Sequence, residues 1–234
     1  MNDLTPFQHR FPPIGGHKEN VSIHKDYGNN IVSPLAIIGE DAVLGEGNII
    51  HAFVVIVGKT TIGNNNTFMP FCSIGTEPEH KAFFGKENSG TIIGDNNMFR
   101  EYVTVNAGCN NPTFVSNDCV FLRGSHVGHD SYVCDKSTIS CNVLIGGHTL
   151  IGQGANLGLG AICHQFSRIG AYAMIGMGAI IPKKINPEPF TVYVGNPAKY
   201  LKPNEYQLKN FSQDEVFAIV QNYKILQNNL DYGK

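Results

Sequence analysis

Three short stretches carry residues suited to proton transfer: Ser125-His126-Val127-Gly128-His129-Asp130, Gly146-Gly147-His148 and His164-Gln165-Phe166. Imidazole titrates near neutral pH, so a positioned histidine can take a proton from an attacking hydroxyl or amine. Asp130, adjacent to His129, can fix the imidazole tautomer and stabilise the imidazolium. A glycine such as Gly147 leaves a backbone N–H open to the oxyanion that develops at a thioester carbonyl. Acyl transfer is the chemistry that uses all three. Each histidine alone also suits a turn residue hydrogen-bonded to backbone, and Asp130 suits a turn cap. The four histidines His126, His129, His148 and His164 raise the question of a metal. With no His-x-x-x-His helical pair and no His-rich tract, none is expected.

That chemistry requires the stretches to lie side by side, and a repeat of six residues puts them there. An apolar residue recurs at Ile38, Leu44, Ile50, Ile56, Ile62, Phe68 and Ile74, again at Ile93, Phe99 and Val105, and then without a break from Val115 to Ile181. A second small or apolar position follows four residues after many of these anchors, as at Val54, Cys72, Val103, Val143, Ala155 and Ala173. A period of six matches neither the 3.6 of a helix nor sustained alternation, so each hexad is a short extended segment and a turn. Gly and Asn, 26 and 24 in the chain, suit those turns. Three hexads then close one triangular coil of a parallel β-helix, with coils about 4.8 Å apart. Since one coil spans three hexads, His129, Gly147 and Gln165 fall in one column and Asp130, His148 and Phe166 in the next.

Two breaks in the register mark loops that leave the prism, 76–91 (TEPEHKAFFGKENSGT) and 106–114 (NAGCNNPTF). Insertions in a solenoid often build its binding site, and they also arise as tolerated length variation. Phe83 and Phe84 in the first loop suit either stacking on a nucleobase or anchoring the loop. The chain is expected to leave the prism at Pro182, Pro187 and Pro189. Ser212 and Glu215 then read as a capping box opening a helix with Val216, Ile219, Val220, Tyr223, Ile225 and Leu226 on or near its apolar side. The division is therefore an N-terminal segment 1–31 of unassigned role, a β-helix 32–185, and a helical extension 186–234.

Composition narrows the function classes. Only 15% of the 234 residues are charged and the net charge is -2, against a phosphate-tracking nucleic-acid binder. No apolar run approaches the roughly 18–20 residues that span a bilayer, and the polar start lacks a signal-peptide pattern, so a cytoplasmic protein without a membrane span is expected. The six cysteines show no Cys-x-x-Cys and are read as reduced packing residues.

Ser125 to Asp130, Ile145 to His148, His164 to Phe166, Ile93 to Asp95 with Arg100-Glu101, and Asn210 to Ser212 resemble the motifs of the UDP-N-acetylglucosamine O-acyltransferases of lipid A synthesis. The resemblance runs from about Val32 to about Gln227. It implies the left hand of the β-helix, which the counting does not give. It also implies that His129 is the general base, Asp130 its orienting partner and the Gly147 N–H the oxyanion donor. By the same resemblance Lys81, His126, His148, His164 and Gln165 contact the sugar, diphosphate or nucleotide. It further implies a homotrimer with sites between neighbouring prisms, an acyl carrier protein donor, and neither a metal nor a redox cofactor.

The sequence departs from that family in four places. Asn106 stands where a site histidine is usual, so acceptor contacts near the second loop differ. The basic pair before the Gly-Phe-Ser motif is reduced to Lys209-Asn210, and the helical tail is short. Gly195-Asn196-Pro197-Ala198-Lys199 looks like the exit segment of CoA-dependent sugar acyltransferases, which leaves carrier protein and CoA both open as donor. The leading reading is transfer of an acyl group from a thioester to a hydroxyl or amine of a nucleotide-linked sugar, in lipid A or surface polysaccharide synthesis. The alternatives are a CoA-dependent N-acyltransferase of a dTDP- or UDP-amino sugar for O-antigen, and a non-catalytic hexapeptide scaffold.

Overall fold

The structure, a computed structural model, describes residues 27–230; the segment 1–31 therefore lies largely outside the described residues. Hexad anchors fall on strands of two to four residues, and in most of the two-residue strands the first side chain faces outward and the second inward, as in Val55–Ile56, Tyr132–Val133 and Thr138–Ile139. The strands assemble into three sheets of ten, eight and seven strands, the faces of a left-handed parallel β-helix of about nine coils. Ile31 pairs with Ile49, one 18-residue coil away. The step lengthens across the first insertion, where Met98 pairs with Thr67, and across the second, where Met98 pairs with Val120. The prism thus keeps its register by extruding the extra residues.

The core is the column of inward side chains, with Phe68, Phe99 and Phe121 stacked at 4.8 Å spacings and fully buried. The second inward positions, including Val54, Cys72, Val103, Val143, Ala155 and Ala173, are all buried. All six cysteines are free thiols. A buried asparagine ladder runs along one edge: the Asn30 side-chain oxygen accepts from the Asn48 amides, Asn48 serves Asn66 alike, and Asn66 accepts from the Asn97 backbone. Each carboxamide thus satisfies backbone donors that the coil turn leaves orphaned.

Turn chemistry differs from the Gly and Asn expectation in one respect. Phe53, Phe71, Tyr102, His148, Phe166, Tyr172 and Phe190 also hold positive φ, a conformation costing an L-residue roughly 1–2 kcal/mol. Coil stacking offsets the cost, because rings in successive coils lie face to face, Phe53 on Phe71 at 5.1 Å and Phe71 on Tyr102 at 5.0 Å along one corner, and Tyr172 on Phe190 at 5.2 Å along another.

The coil continues past Ile185. Thr191–Val194 adds one more parallel strand beside Met174–Ile175, and Lys199–Pro203 pairs antiparallel with it, closing the sheet edge. A short helix α1 (Glu205–Leu208) leads to α2 (Gln213–Asn229), whose capping box between Ser212 and Glu215 is complete. Tyr223 is buried against Cys134, Leu150, Ala171, Tyr172 and Phe190, with Val216, Ile219, Val220 and Leu226 beside it. Ile225 is the exception among the expected apolar positions: it points to solvent, 58% exposed. Arg168, on a prism strand, donates to the carbonyls of His148 and of Leu230 at the end of α2, tying the appendage to the coil that carries the histidines.

Candidate functional site

Asp130 occupies a corner at φ 58°, where short polar side chains are tolerated. Its carboxylate is fully buried and accepts from His129 Nδ1 at 2.9 Å and from the backbone N–H groups of Cys109 (2.6 Å), Asn110 (3.0 Å) and Asn111 (2.9 Å). Thr113 accepts from the Asp130 N–H through its Oγ1. The second insertion thus wraps its own backbone around this carboxylate. Burial pushes the carboxyl pKa up, but the hydrogen bonds from His129 and from the 111, 109 and 110 amides outweigh it and hold the group well below the usual carboxylate range. Asp130 is an anion at neutral pH and orients the His129 ring.

The opposite edge of that ring lies over Gly147. A Cβ built on Gly147 would sit 2.7 Å from His129 Nε2 and 2.8 Å from Cε1. Only glycine fits there. Among the described residues the backbone N–H of this same glycine has no hydrogen-bond acceptor. Two more imidazoles meet His129 edge-on, His148 at 5.0 Å and His80 at 5.7 Å. His148 stacks on Phe166 at 4.6 Å, and Lys183 lies 5.2 Å over Phe166.

His126 faces the first insertion. Its Nδ1 is 2.8 Å from Thr104 Oγ1 and its Nε2 is 3.6 Å from Glu79. Burial lowers its pKa; Glu79 pulls upward and His129 adds to the lowering. Burial likewise lowers that of His148, opposed by Asp130. Asn106 is buried and donates to the Glu77 carbonyl at 2.6 Å, so the residue that departs from the family pattern anchors the first insertion. The insertions are also joined to each other: Gly108 donates to the Gly90 carbonyl and accepts from Ser89.

The structure therefore brings together His126, His129, Asp130, Gly147 and His148, with Asn106 bracing the loop above them. The remaining candidates lie at the margin. Lys81 is exposed on the 3-10 turn Lys81–Phe83, and Gln165 is exposed one coil beyond Gly147. His164 donates through Nδ1 to the Gln165 carbonyl and lines an apolar cavity of about 530 Å³ with Pro182, Lys183, Ile185 and Pro197. Phe83 meets His80 edge-on at 5.6 Å, in keeping with the anchoring role, while Phe84 is exposed.

Two residues of the cluster escape a reading of the repeat. His80 caps the 3-10 turn through Nδ1, which accepts the Ala82 N–H; that bond fixes the proton on Nε2. Its signal in the sequence is only its place between charged residues in an insertion. Cys109 is buried with Sγ 3.5 Å from His129 Nδ1, and burial and Asp130 push its thiol up to about 12. Because Cys109 lies on the Nδ1 side, beside the carboxylate, it is not placed to hand its proton to Nε2 as a nucleophile would. Cys109, His129 and Asp130 do offer one sulfur, one nitrogen and one oxygen within 4.8 Å of one another.

No family model matches the chain. Individual relatives do. An acyl-(acyl-carrier-protein)-UDP-N-acetylglucosamine O-acyltransferase of Xylella fastidiosa is 35% identical over 222 residues, 84% of this chain and 83% of that protein. The enzyme of the same name from Stutzerimonas stutzeri is 35% identical over 83% of this chain and 76% of its own length. The one from Stenotrophomonas maltophilia is 35% identical over 70% of this chain, a match spanning 64% of the Stenotrophomonas protein. Among solved structures, the UDP-N-acetylglucosamine O-acyltransferase of Moraxella catarrhalis superposes with a TM-score of 0.76 at 29% identity, covering 84% of this chain and 77% of that one. The Bacteroides fragilis UDP-N-acetylglucosamine acyltransferase gives 0.67 at 28% identity, over 86% and 84%. On these likenesses and the coiled prism they share, the chain belongs to the UDP-N-acetylglucosamine O-acyltransferase family, a branch of the left-handed β-helix acyltransferases.

Proposed function

We propose that this protein transfers an acyl group from the thioester of an acyl carrier protein to a hydroxyl of UDP-N-acetylglucosamine, the substrates named for its relatives, in lipid A synthesis. The observation that carries the reading is the pairing of a buried His129–Asp130 dyad with a glycine, Gly147, on which the Nε2 edge of the ring packs and whose own N–H has no acceptor among the described residues. With Nδ1–H donated to Asp130, the Nε2 lone pair takes the proton of the sugar hydroxyl as its oxygen bonds to the thioester carbon. Negative charge on the carbonyl oxygen is met by the Gly147 N–H. The intermediate collapses with cleavage of the carbon–sulfur bond, and the imidazolium proton goes to the departing thiolate. No metal or redox cofactor takes part in this step.

His126 and His148, beside His129, contact the acceptor together with Asn106 at the start of the second loop, with Lys81, His164 and Gln165 at the margin holding the diphosphate, nucleotide or donor. Sites between neighbouring prisms of a homotrimer suit these exposed marginal residues, and a cytoplasmic enzyme suits a nucleotide-sugar acceptor. Among the described residues no helix is long and apolar enough to cross a membrane. The test crosses carrier-protein and CoA thioesters with UDP-N-acetylglucosamine and nucleotide amino sugars, with His129→Ala alongside. Turnover of UDP-N-acetylglucosamine with the carrier-protein donor, lost in the variant, supports the proposal. Turnover confined to an amino sugar with CoA, persisting in His129→Ala, overturns it in favour of N-acylation.

A further inference from the structure

We propose that Cys109, His129 and Asp130 form a binding site for a thiophilic divalent cation of the zinc class, and that its occupancy silences acyl transfer. The donor set is one sulfur, one imidazole nitrogen and one carboxylate oxygen, a combination that zinc accepts. Distances decide whether the groups can share one ion. With zinc about 2.3 Å from sulfur and about 2.05 Å from nitrogen, the 3.5 Å between Cys109 Sγ and His129 Nδ1 subtends about 107°, close to the tetrahedral angle. The 2.9 Å between His129 Nδ1 and Asp130 Oδ2 subtends about 90° and opens by a few tenths of an ångström to reach that angle. The outer shell is already built, since the other carboxylate oxygen of Asp130 is held by the Asn110 and Asn111 N–H groups.

Proton balance explains the silencing, which rests on His129 acting as the base. The ion takes Nδ1, so the neutral imidazole carries its single proton on Nε2, where it can no longer accept one. Cys109 loses its thiol proton to solvent, and one proton is released per ion bound. Thiolate and carboxylate together neutralise the divalent charge. The exposed loop residues around His80 leave the cluster close to solvent despite its burial.

The full-length protein is titrated with cadmium, following thiolate-to-metal absorption in the ultraviolet, with zinc then added as competitor. One equivalent with a single-thiolate band is expected, displaced by zinc, unchanged in Cys141→Ser and lost in Cys109→Ser. X-ray absorption of the wild-type zinc complex needs no variant and should show one sulfur with nitrogen and oxygen ligands. A shell without sulfur or with several, or a band that persists in a folded Cys109→Ser, overturns the site. Each protein's turnover is compared with its own metal-free rate: zinc should lower wild-type turnover at least tenfold and a chelator should restore it, with Cys109→Ser at least tenfold less sensitive. If zinc binds as described and turnover is undiminished, the silencing falls and with it the base role of His129. If no metal binds, the metal site falls while the metal-free transfer assay still judges the catalytic reading.

Discussion

Gly147→Ala probes the tightest joint of the site with a single methyl group. The added carbon would lie 2.7 Å from His129 Nε2, 2.8 Å from Cε1 and 3.1 Å from Cδ2, where contact distances are about 3.5–4.0 Å. The ring must retreat by roughly 0.8–1 Å, but His148 and His80 stand against it and Asp130 holds Nδ1 at 2.9 Å. A displacement of that size at a reacting group costs on the order of 100-fold in rate. Overpacking adds about 1–3 kcal/mol of destabilisation, which in a chain of this length lowers Tm by roughly 2–12 °C. The backbone N–H is still present, so KM should move little while kcat falls. The assay is steady-state transfer from the carrier-protein thioester with circular dichroism and thermal melts alongside. Gly176→Ala serves as control, since its Cβ meets the Val194 side-chain tip, which can rotate away. A folded Gly147→Ala enzyme with kcat within about threefold of wild type refutes the placement of His129 as base over this glycine.

Further outcomes follow from the same geometry. Asp130→Asn leaves backbone donors facing a group that cannot accept from all of them, and should cost about 2–4 kcal/mol at pH 7 with most of the activity. Because the folded carboxyl pKa is depressed, that stability gap is full above the ordinary carboxylate range and shrinks as pH falls through it; a gap that widens in acid denaturation series refutes the assignment. His80→Ala removes an exposed ring that buttresses His129, so kcat should drop about tenfold with Tm unchanged; full activity in that variant removes His80 from the site. Tyr223→Ala vacates the buried contact of α2 and should cost roughly 3–5 kcal/mol locally, seen as faster amide exchange over 213–229 with the prism unaffected. Exchange that rises equally in the prism would mean that the appendage is integral to the coil's stability.

The prism was legible in the chain because its periodicity is local and covalent. An inward residue every six positions and turn-forming residues between them leave a coil of three hexads as the arrangement that buries every anchor, and 18-residue stacking then puts His129 over Gly147. The capping box at Ser212 and Glu215 was legible for the same reason, since both partners lie within one turn. Ile225 was misplaced because which face of a helix is buried depends on what it packs against, here the ring cluster of Tyr172 and Phe190. Only the tertiary structure decided how the insertions return. Their sequences lack periodicity, and what orders them is long-range: three backbone N–H groups on Asp130, Asn106 on the Glu77 carbonyl, and the Gly90–Gly108 bridge. His80 and Cys109 enter the site through those bonds, so no spacing along the chain announces them. Repetition fixes the scaffold and the stacked pair from sequence, while the groups around that pair come from loops whose conformation is set by distant polar atoms left unsatisfied by the coil.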